Sequence, residues 1–141
     1  MFWFGEPQPS DAELAEGVRL VRLINTTRRE HNLNPLTHLE ILDNTAWIMV
    51  LEMLKLDYTK GSHLDTQGLW PSDRAKKVGY LASVTESLAS NARSAQAALD
   101  SWMRKPEDRK NILRRDLWAT GVAIHKNNYV QVFGTESSKY S

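Results

Sequence analysis

The 141-residue chain contains no cysteine, no long apolar run and no marked excess of charge of either sign. Without cysteine there is no disulfide, no thiol nucleophile and no zinc site built on thiolates. A membrane span needs about 20 consecutive apolar residues, so none is expected. Eighteen Lys and Arg residues face seventeen Asp and Glu residues, for a formal net charge of +1. This balance argues against a strongly basic nucleic-acid-binding protein.

The N-terminal segment also lacks the features of a secretory signal peptide. Its first ten residues, MFWFGEPQPS, contain no basic region, and Gly5, Pro7 and Pro9 interrupt the apolar stretch. We therefore expect export by another route, export through a presequence outside this sequence, or no independent export.

The composition is typical of one globular domain. Apolar residues make up 41% and charged residues 25% of the chain, which is ordinary for a folded protein of this length. We divide the chain into an aromatic arm at residues 1–10, a domain at 11–134 and a polar tail at 135–141.

A capping box predicts where the first helix begins. In Ser10-Asp11-Ala12-Glu13 the serine hydroxyl and the glutamate carboxylate can each accept from a free backbone N–H group. The helix is expected to run to about Glu30, and its buried stripe should comprise the apolar residues at helical spacing: Leu14, Val18, Val21 and Ile24.

The remaining pattern predicts about four helices and three strands. Further helices are expected at 38–56, 71–78 and 94–103, with one more turn at 107–113, and strands at 80–90, 118–125 and 129–134. The last two strands are joined by Lys126-Asn127-Asn128, a hairpin signal. Residues 57–70 are polar and contain Gly61 and Gly68, which indicates a long loop. The fold class is therefore α+β with a small antiparallel sheet.

Six stretches, in order along the chain, resemble the CAP superfamily. This is the fold of cysteine-rich secretory proteins, antigen 5 and plant pathogenesis-related class 1 proteins, also called the SCP domain, and the similarity is to its short bacterial branch. The stretches are LINTTRREHNLNPL (23–36), GSHLDTQG (61–68), DRAKKVGY (73–80), TESLA (85–89), SAQAALDSWMRKPEDRKNIL (94–113) and GVAIHKNNYVQVFG (121–134). The resemblance implies a three-layer α-β-α sandwich.

The same resemblance implies a half-altered metal cleft. Family members that bind metal place two His and two Glu around a central cleft. Matched position by position, the first His is His63 and the first Glu is Glu86. The second Glu corresponds to Lys105 and the second His to Asp108.

Three interpretations of this cleft are open. His63, Glu86 and Asp108 could hold a divalent cation such as zinc, although the Lys105 ammonium would oppose it. The cleft of His63, Glu86 and Asp108 could instead be catalytic, in a metal-dependent hydrolase or peptidase or in one that uses a His63–Glu86 pair with Ser62 or Ser87 as the neighbouring hydroxyl. In the third interpretation, which we favour, the pair fixes the loop to the sheet without chemistry and no cofactor is needed.

Other candidate residues are interpreted as structural. Three tryptophans are expected in the core: Trp47, Trp102 and Trp118. Three basic doublets are expected on solvated faces, with no nucleic acid as partner: Arg28-Arg29, Lys76-Lys77 and Arg114-Arg115. His31 is expected to cap carbonyls at a helix end, and His125 to be exposed near the hairpin tip.

The arm carries the clearest signal for a protein partner. Phe2, Trp3 and Phe4 are clustered at the N-terminus, and such aromatic anchors dominate interface energies. We therefore predict a non-catalytic CAP-like module that acts by protein contacts, in an extracellular or particle-borne assembly such as a virion. The alternatives are the hydrolase and a lipid-binding groove of the kind attributed to some relatives.

Overall fold

The computed structural model describes residues 7–56 and 62–137, which form an α+β fold. Among these residues there are five helices and four strands. In chain order they are α1 (Asp11–Glu30), β1 (Thr37–His38), α2 (Glu40–Met53), α3 (Pro71–Lys77), β2 (Val84–Ala89), α4 (Ala95–Arg104), α5 (Pro106–Ile112), β3 (Ala119–His125) and β4 (Asn128–Gly134). The predicted fold class is confirmed.

The strands form one sheet in the order β1-β3-β4-β2. The pairs β3–β4 and β2–β4 are antiparallel, as predicted. The two-residue strand β1 adds a parallel pair with Ala119 and Thr120 that the sequence pattern did not indicate. Leu39 remains extended because its N–H donates to Thr120 O at 3.0 Å, so α2 begins at Glu40 rather than His38.

The helices cover both faces of the sheet and give three layers. Side chains of α1, α4 and α5 share one core with Val122 of β3 and Phe133 of β4. Side chains of α2 share a second core with the neighbouring Ala123 and Val132. The side chains of successive strand residues thus pack into opposite cores, as the two-residue period of a strand requires.

Helix α1 begins and ends where the sequence predicts. The Glu13 N–H donates to Ser10 Oγ at 3.0 Å, and the Ser10 N–H donates to Glu13 Oε1 at 2.9 Å. At the other end, His31 Nδ1 lies 2.9 Å from Thr27 O. Both capping predictions are confirmed.

The predicted buried stripe of α1 is wrong at two of its four positions. Val21 and Ile24 are buried, but Leu14 and Val18 are 48% and 47% exposed. The first two turns of α1 lie beside an open groove and contribute nothing to the core at these positions.

The hairpin between β3 and β4 is tighter than expected. Asn128 pairs with His125 and belongs to β4, so only Lys126 and Asn127 form the turn. Both have positive φ, 48° and 65°. Positive φ at both central residues is the geometry of the two-residue turn that matches strand twist.

Three further expectations about burial, those for Trp118, His125 and Arg28, are wrong. Trp118 was expected in the core but is 48% exposed, because it precedes β3 at the end of the sheet. Trp47 and Trp102 are buried, as predicted. The His125 side chain is only 13% exposed, because it bends towards α1 and its Nδ1 lies 3.2 Å from Glu13 Oε1.

Arg28 is the third, since it is buried rather than solvated. Its guanidinium donates to three backbone carbonyls, those of Asn34, Ile112 and Arg114, each at 2.8 Å. A guanidinium has five N–H donors and can therefore satisfy several carbonyls in the interior.

The arm residues Phe2, Trp3 and Phe4 lie outside the described residues, as does the end of the tail. No helix within residues 7–56 and 62–137 is long and apolar enough to cross a membrane.

Candidate functional site

A buried arginine on α3 is the centre of the candidate site. Arg74 is fully buried, and its Nη1 donates to Asp65 Oδ2 at 3.2 Å. Its Nη2 donates to Glu86 Oε1 at 2.9 Å and to Oε2 at 3.0 Å. Two carbonyls, those of Leu69 and His63, accept from the same guanidinium at 2.8 and 3.1 Å. One cation therefore connects the loop before α3 to strand β2.

Strand β2 presents Glu86 to this arginine. Glu86 pairs with Val132 in the sheet register, so its side chain lies on the same face as α2 and α3. The carboxylate is buried, and besides the two bonds from Arg74 it accepts one from His63 Nδ1 at 2.7 Å. Each Glu86 oxygen thus has at least one partner within the protein.

The imidazole of His63 lies at the outer end of this chain of contacts, with its side chain 39% exposed. The hydrogen bond with Glu86 raises the pKa of His63, burial opposes that effect, and the net shift is upward. The Nδ1 donates to Glu86, which leaves Nε2 as the ring nitrogen that is not committed to this pair.

The loop that carries His63 is fixed by Asp65. Its Oδ1 accepts from the backbone N–H groups of Gln67 at 2.8 Å and Leu69 at 2.9 Å. Its Oδ2 accepts from Arg74. The buried carboxylate therefore folds the loop back upon itself and ties it to α3.

Asp108 lies on the other face of β2. It accepts a hydrogen bond from Ser87 Oγ at 2.8 Å, and Ser87 pairs with Gln131, one position out of phase with Glu86. Asp108 is close enough to raise the pKa of His63 electrostatically. In residues 7–56 and 62–137, no group of three or more His, Asp or Glu side chains is arranged to hold a metal ion.

Lys105 makes no ion pair with Asp108, although the two lie near each other in sequence. Lys105 is exposed between α4 and α5, and the salt bridges within the described ranges do not include it. Asp108 is therefore occupied by the Ser87 hydroxyl rather than by an ammonium group.

Neither candidate hydroxyl is bonded to the imidazole in the described part of the chain. Ser62 Oγ accepts from the Leu64 N–H at 3.2 Å, and Ser87 Oγ donates to Asp108. The structure thus brings His63 and Glu86 together and leaves the third member, Asp108, in a separate contact.

Asp65 and Arg74 were not recognised from the sequence. An Asx turn is typical of the Asp65-Thr66-Gln67-Gly68 pattern and could have indicated Asp65. Nothing local indicates Arg74, because a single arginine among polar residues of a short helix is normally solvated.

Comparison with known proteins agrees with this fold. The model of the CAP family, the cysteine-rich secretory protein family, matches residues 21–135. A search of the curated protein sequences gave no significant match.

Three solved structures share the architecture. An extracellular protein containing an SCP domain, from Bacillus anthracis, is 23% identical with a TM-score of 0.81, over 94% of this chain and 45% of its own. A cysteine-rich secretory protein from Staphylococcus aureus is 17% identical with a TM-score of 0.71, over 93% and 42%. An outer surface protein from Borrelia burgdorferi is 19% identical with a TM-score of 0.72, over 93% and 98%.

The chain spans less than half the length of the first two of these proteins and nearly all of the third. At these identities the likeness concerns the fold alone. The family match covers most of the chain, so the protein belongs to the CAP family of cysteine-rich secretory proteins.

Proposed function

We propose that this chain is a non-catalytic CAP module that acts through contacts with other proteins in an extracellular or particle-borne assembly, such as a virion. The observation that carries the proposal is the saturation of Glu86 by Arg74 and His63. When both oxygens of a buried carboxylate are hydrogen-bonded within the protein, the carboxylate stabilises the fold rather than taking part in a reaction.

The electrostatics of the cleft support the same conclusion. Arg74 lies within 3.2 Å of both Asp65 and Glu86, so one buried positive charge faces two buried carboxylates. A metal ion at Glu86 would have to displace the hydrogen bonds from Arg74 and His63 that already occupy its two carboxylate oxygens. We therefore infer that the His63, Glu86 and Asp108 positions hold no resident divalent metal, including zinc.

Two structural neighbours support an extracellular setting. One is described as an extracellular protein and another as an outer surface protein. We propose that this chain acts in a comparable location.

The partner contact is assigned to the aromatic arm. Phe2, Trp3 and Phe4 precede α1, and clustered aromatic side chains are the residues that most often anchor protein interfaces. This assignment leaves the cleft as a framework and the arm as the part that contacts other chains.

The test is the size of the native assembly that contains the chain. With Phe2, Trp3 and Phe4 replaced by alanine, the chain should leave the assembly and elute at the size of a folded monomer. Trp118→Ala, which removes an exposed tryptophan of the domain, is the control and should leave the assembly intact. An unchanged elution volume for the triple-alanine variant would refute the proposal.

One observation favours a second candidate, the His–Glu hydrolase. The half-exposed His63 is bonded to a buried carboxylate that fixes its tautomer, as in a general base. This candidate predicts hydrolysis of peptide or ester substrates that falls at least 100-fold in both His63→Gln and Glu86→Gln. The non-catalytic proposal predicts equal background rates in wild type and both variants.

A further inference from the structure

A groove of about 250 Å³ lies between the first turns of α1, the start of α2 and strand β3. Its floor is apolar and buried, with Trp47 of α2 and Val122 and Ile124 of β3. Its rim on α1 carries Leu14 and Val18, which are about half exposed. None of its lining residues belongs to the cleft described above, so the groove is a separate feature of the surface.

The backbone beside the groove offers little to a peptide. The Thr120 carbonyl accepts from the Leu39 N–H at 3.0 Å, and the Val122 N–H donates to Asp43 Oδ1 at 2.8 Å. An added strand needs unpaired backbone groups along the edge of a sheet, and these groups are already bonded. The volume of about 250 Å³ is close to the lower end of small-molecule pockets, about 300 Å³. The groove therefore suits a small molecule rather than a segment of chain.

The polar side chains at the groove are mainly carboxylates. Glu13 of α1 and Glu40 and Asp43 of α2 line it, together with His38. Neither lysine nor arginine occurs among the described residues that line it. Even with His38 protonated, negative charges outnumber positive ones by two, so the groove attracts cations and repels anions. The same charges disfavour an anionic lipid such as a fatty acid.

Asp43 presents an open acceptor at this groove. Its Oδ1 lies 2.7 Å from His38 Nε2 and accepts from the Val122 N–H, and these two contacts fix the orientation of the carboxylate. Its Oδ2 accepts no hydrogen bond from the described residues, and the side chain is 25% exposed. Both oxygens of Glu13, by contrast, accept from backbone N–H groups. An ammonium group at Asp43 Oδ2 can therefore form a charge-assisted hydrogen bond without displacing an existing one.

We propose that the groove binds a small organic cation, a protonated amine with an apolar body. The ammonium group donates to Asp43 Oδ2. The apolar body lies against Leu14, Val18 and the buried floor, where it is removed from water. This ligand site is additional to the protein contacts proposed for the arm and does not depend on them.

The experiment titrates the full-length chain with phenethylamine and follows the backbone amide resonances by NMR. Two probes of similar shape are compared with it: phenethyl alcohol, which is neutral, and hydrocinnamate, which is an anion. The amine should bind saturably and shift the amide resonances of Val18 and Val122. The alcohol should bind at least tenfold more weakly, and the anion should show no saturable binding. An alcohol that binds as tightly as the amine, or an amine without saturable binding, would overturn the inference.

Asp43→Asn tests the charge of the proposed acceptor. The asparagine Oδ1 can still accept from the Val122 N–H, so the substitution removes the charge and retains the link between α2 and β3. The variant should bind phenethylamine at least tenfold more weakly than wild type and phenethyl alcohol equally well. Asp100→Asn, at an exposed position of α4 outside the groove, is the matched control and should bind both probes as wild type does. Unchanged amine binding in Asp43→Asn, or equal weakening of both probes, would contradict the role of its charge.

Val18→Trp tests the location of the site. The larger side chain extends from the half-exposed rim and fills the groove, so the binding of both probes should be lost. Leu81→Trp, at an exposed position outside the groove, is the control and should bind as wild type does. Unchanged binding of phenethylamine to Val18→Trp would show that the amine binds elsewhere and that the inference is wrong.

Discussion

Arg74 is the residue on which the state of the cleft depends. Its guanidinium is fully buried, contacts Asp65 and Glu86, and also donates to two carbonyls. Taking a charge out of water is costly unless partners surround it, and here the partners are two carboxylates and the loop backbone. The loop, α3 and β2 are thus joined through one side chain.

Replacing Arg74 by methionine should destabilise the protein strongly. The substitution leaves Asp65 buried without a counter-charge and Glu86 with only the His63 imidazole, so we expect a loss of about 3–5 kcal/mol in the free energy of unfolding. Urea denaturation measures this change in the free energy of unfolding. Lys77→Met, on the exposed side of the same helix, should change the value by no more than about 0.5 kcal/mol. Equal effects of the two substitutions would contradict the structural role of Arg74.

His63 should make stability depend on pH. Its pKa is raised in the folded state by the hydrogen bond with Glu86, so the protonated imidazole is the form that folding favours. The stabilisation is present in full below the unfolded pKa of about 6.5. It is lost as pH rises through the higher folded value.

The comparison of wild type with His63→Gln isolates this effect. His38, whose pKa is also raised, by its bond to Asp43, is common to both proteins and cancels. The stability advantage of wild type over His63→Gln should decrease as pH increases from 6 towards alkaline values. If the stability advantage of wild type over His63→Gln grows with pH, protonation of His63 does not stabilise the folded protein.

At the scale of elements, local signals predicted both ends of α1, the start of α3 and the presence of the hairpin, but not the bounds of α2. The Ser10–Glu13 box, the Pro71 start and the Lys126-Asn127 turn each depend on residues within one turn of chain. Such interactions can be predicted from the sequence because both partners lie in the same short stretch of chain.

Features that depend on distant contacts were not predicted. Strand β1 exists because two residues pair with Ala119 and Thr120, more than 80 positions away. Leu14 and Val18 have the spacing of core residues but face a groove. Periodicity predicts which face of a helix is apolar, but it does not identify what covers that face.

The contact between β3 and α2 offers a test at this scale. A Cβ at Gly121 would overlap the backbone of Leu42 and Asp43, so Gly121→Ala must displace α2. We expect a loss of about 3 kcal/mol in the free energy of unfolding, at the upper end of overpacking costs, measured by urea denaturation.

Gly17→Ala is the matched control. Its Cβ would approach only the Val122 side chain, at 2.9 Å, and alanine favours the helix by about 0.5–1 kcal/mol over glycine. The loss of unfolding free energy in Gly17→Ala should therefore be clearly smaller than that in Gly121→Ala. A Gly121→Ala variant as stable as Gly17→Ala would contradict the close approach of α2 to β3.

At the scale of the whole molecule, the CAP fold was recognised from ordered stretches along most of the chain, and the family match agrees. The site was predicted less completely. The resemblance implied His63 and Glu86, which the structure joins. It did not indicate Arg74, because only the packing of α3 against β2 brings a guanidinium to Glu86.

We propose that this CAP domain keeps the family fold while Arg74 and His63 occupy the Glu86 carboxylate, so that the cleft binds no zinc. The most direct measurement is an isothermal titration of zinc into the full-length wild-type chain and into His63→Ala. Neither protein should show stoichiometric binding, and the two titration curves should coincide. One zinc ion bound per wild-type chain, with binding lost in His63→Ala, would contradict it.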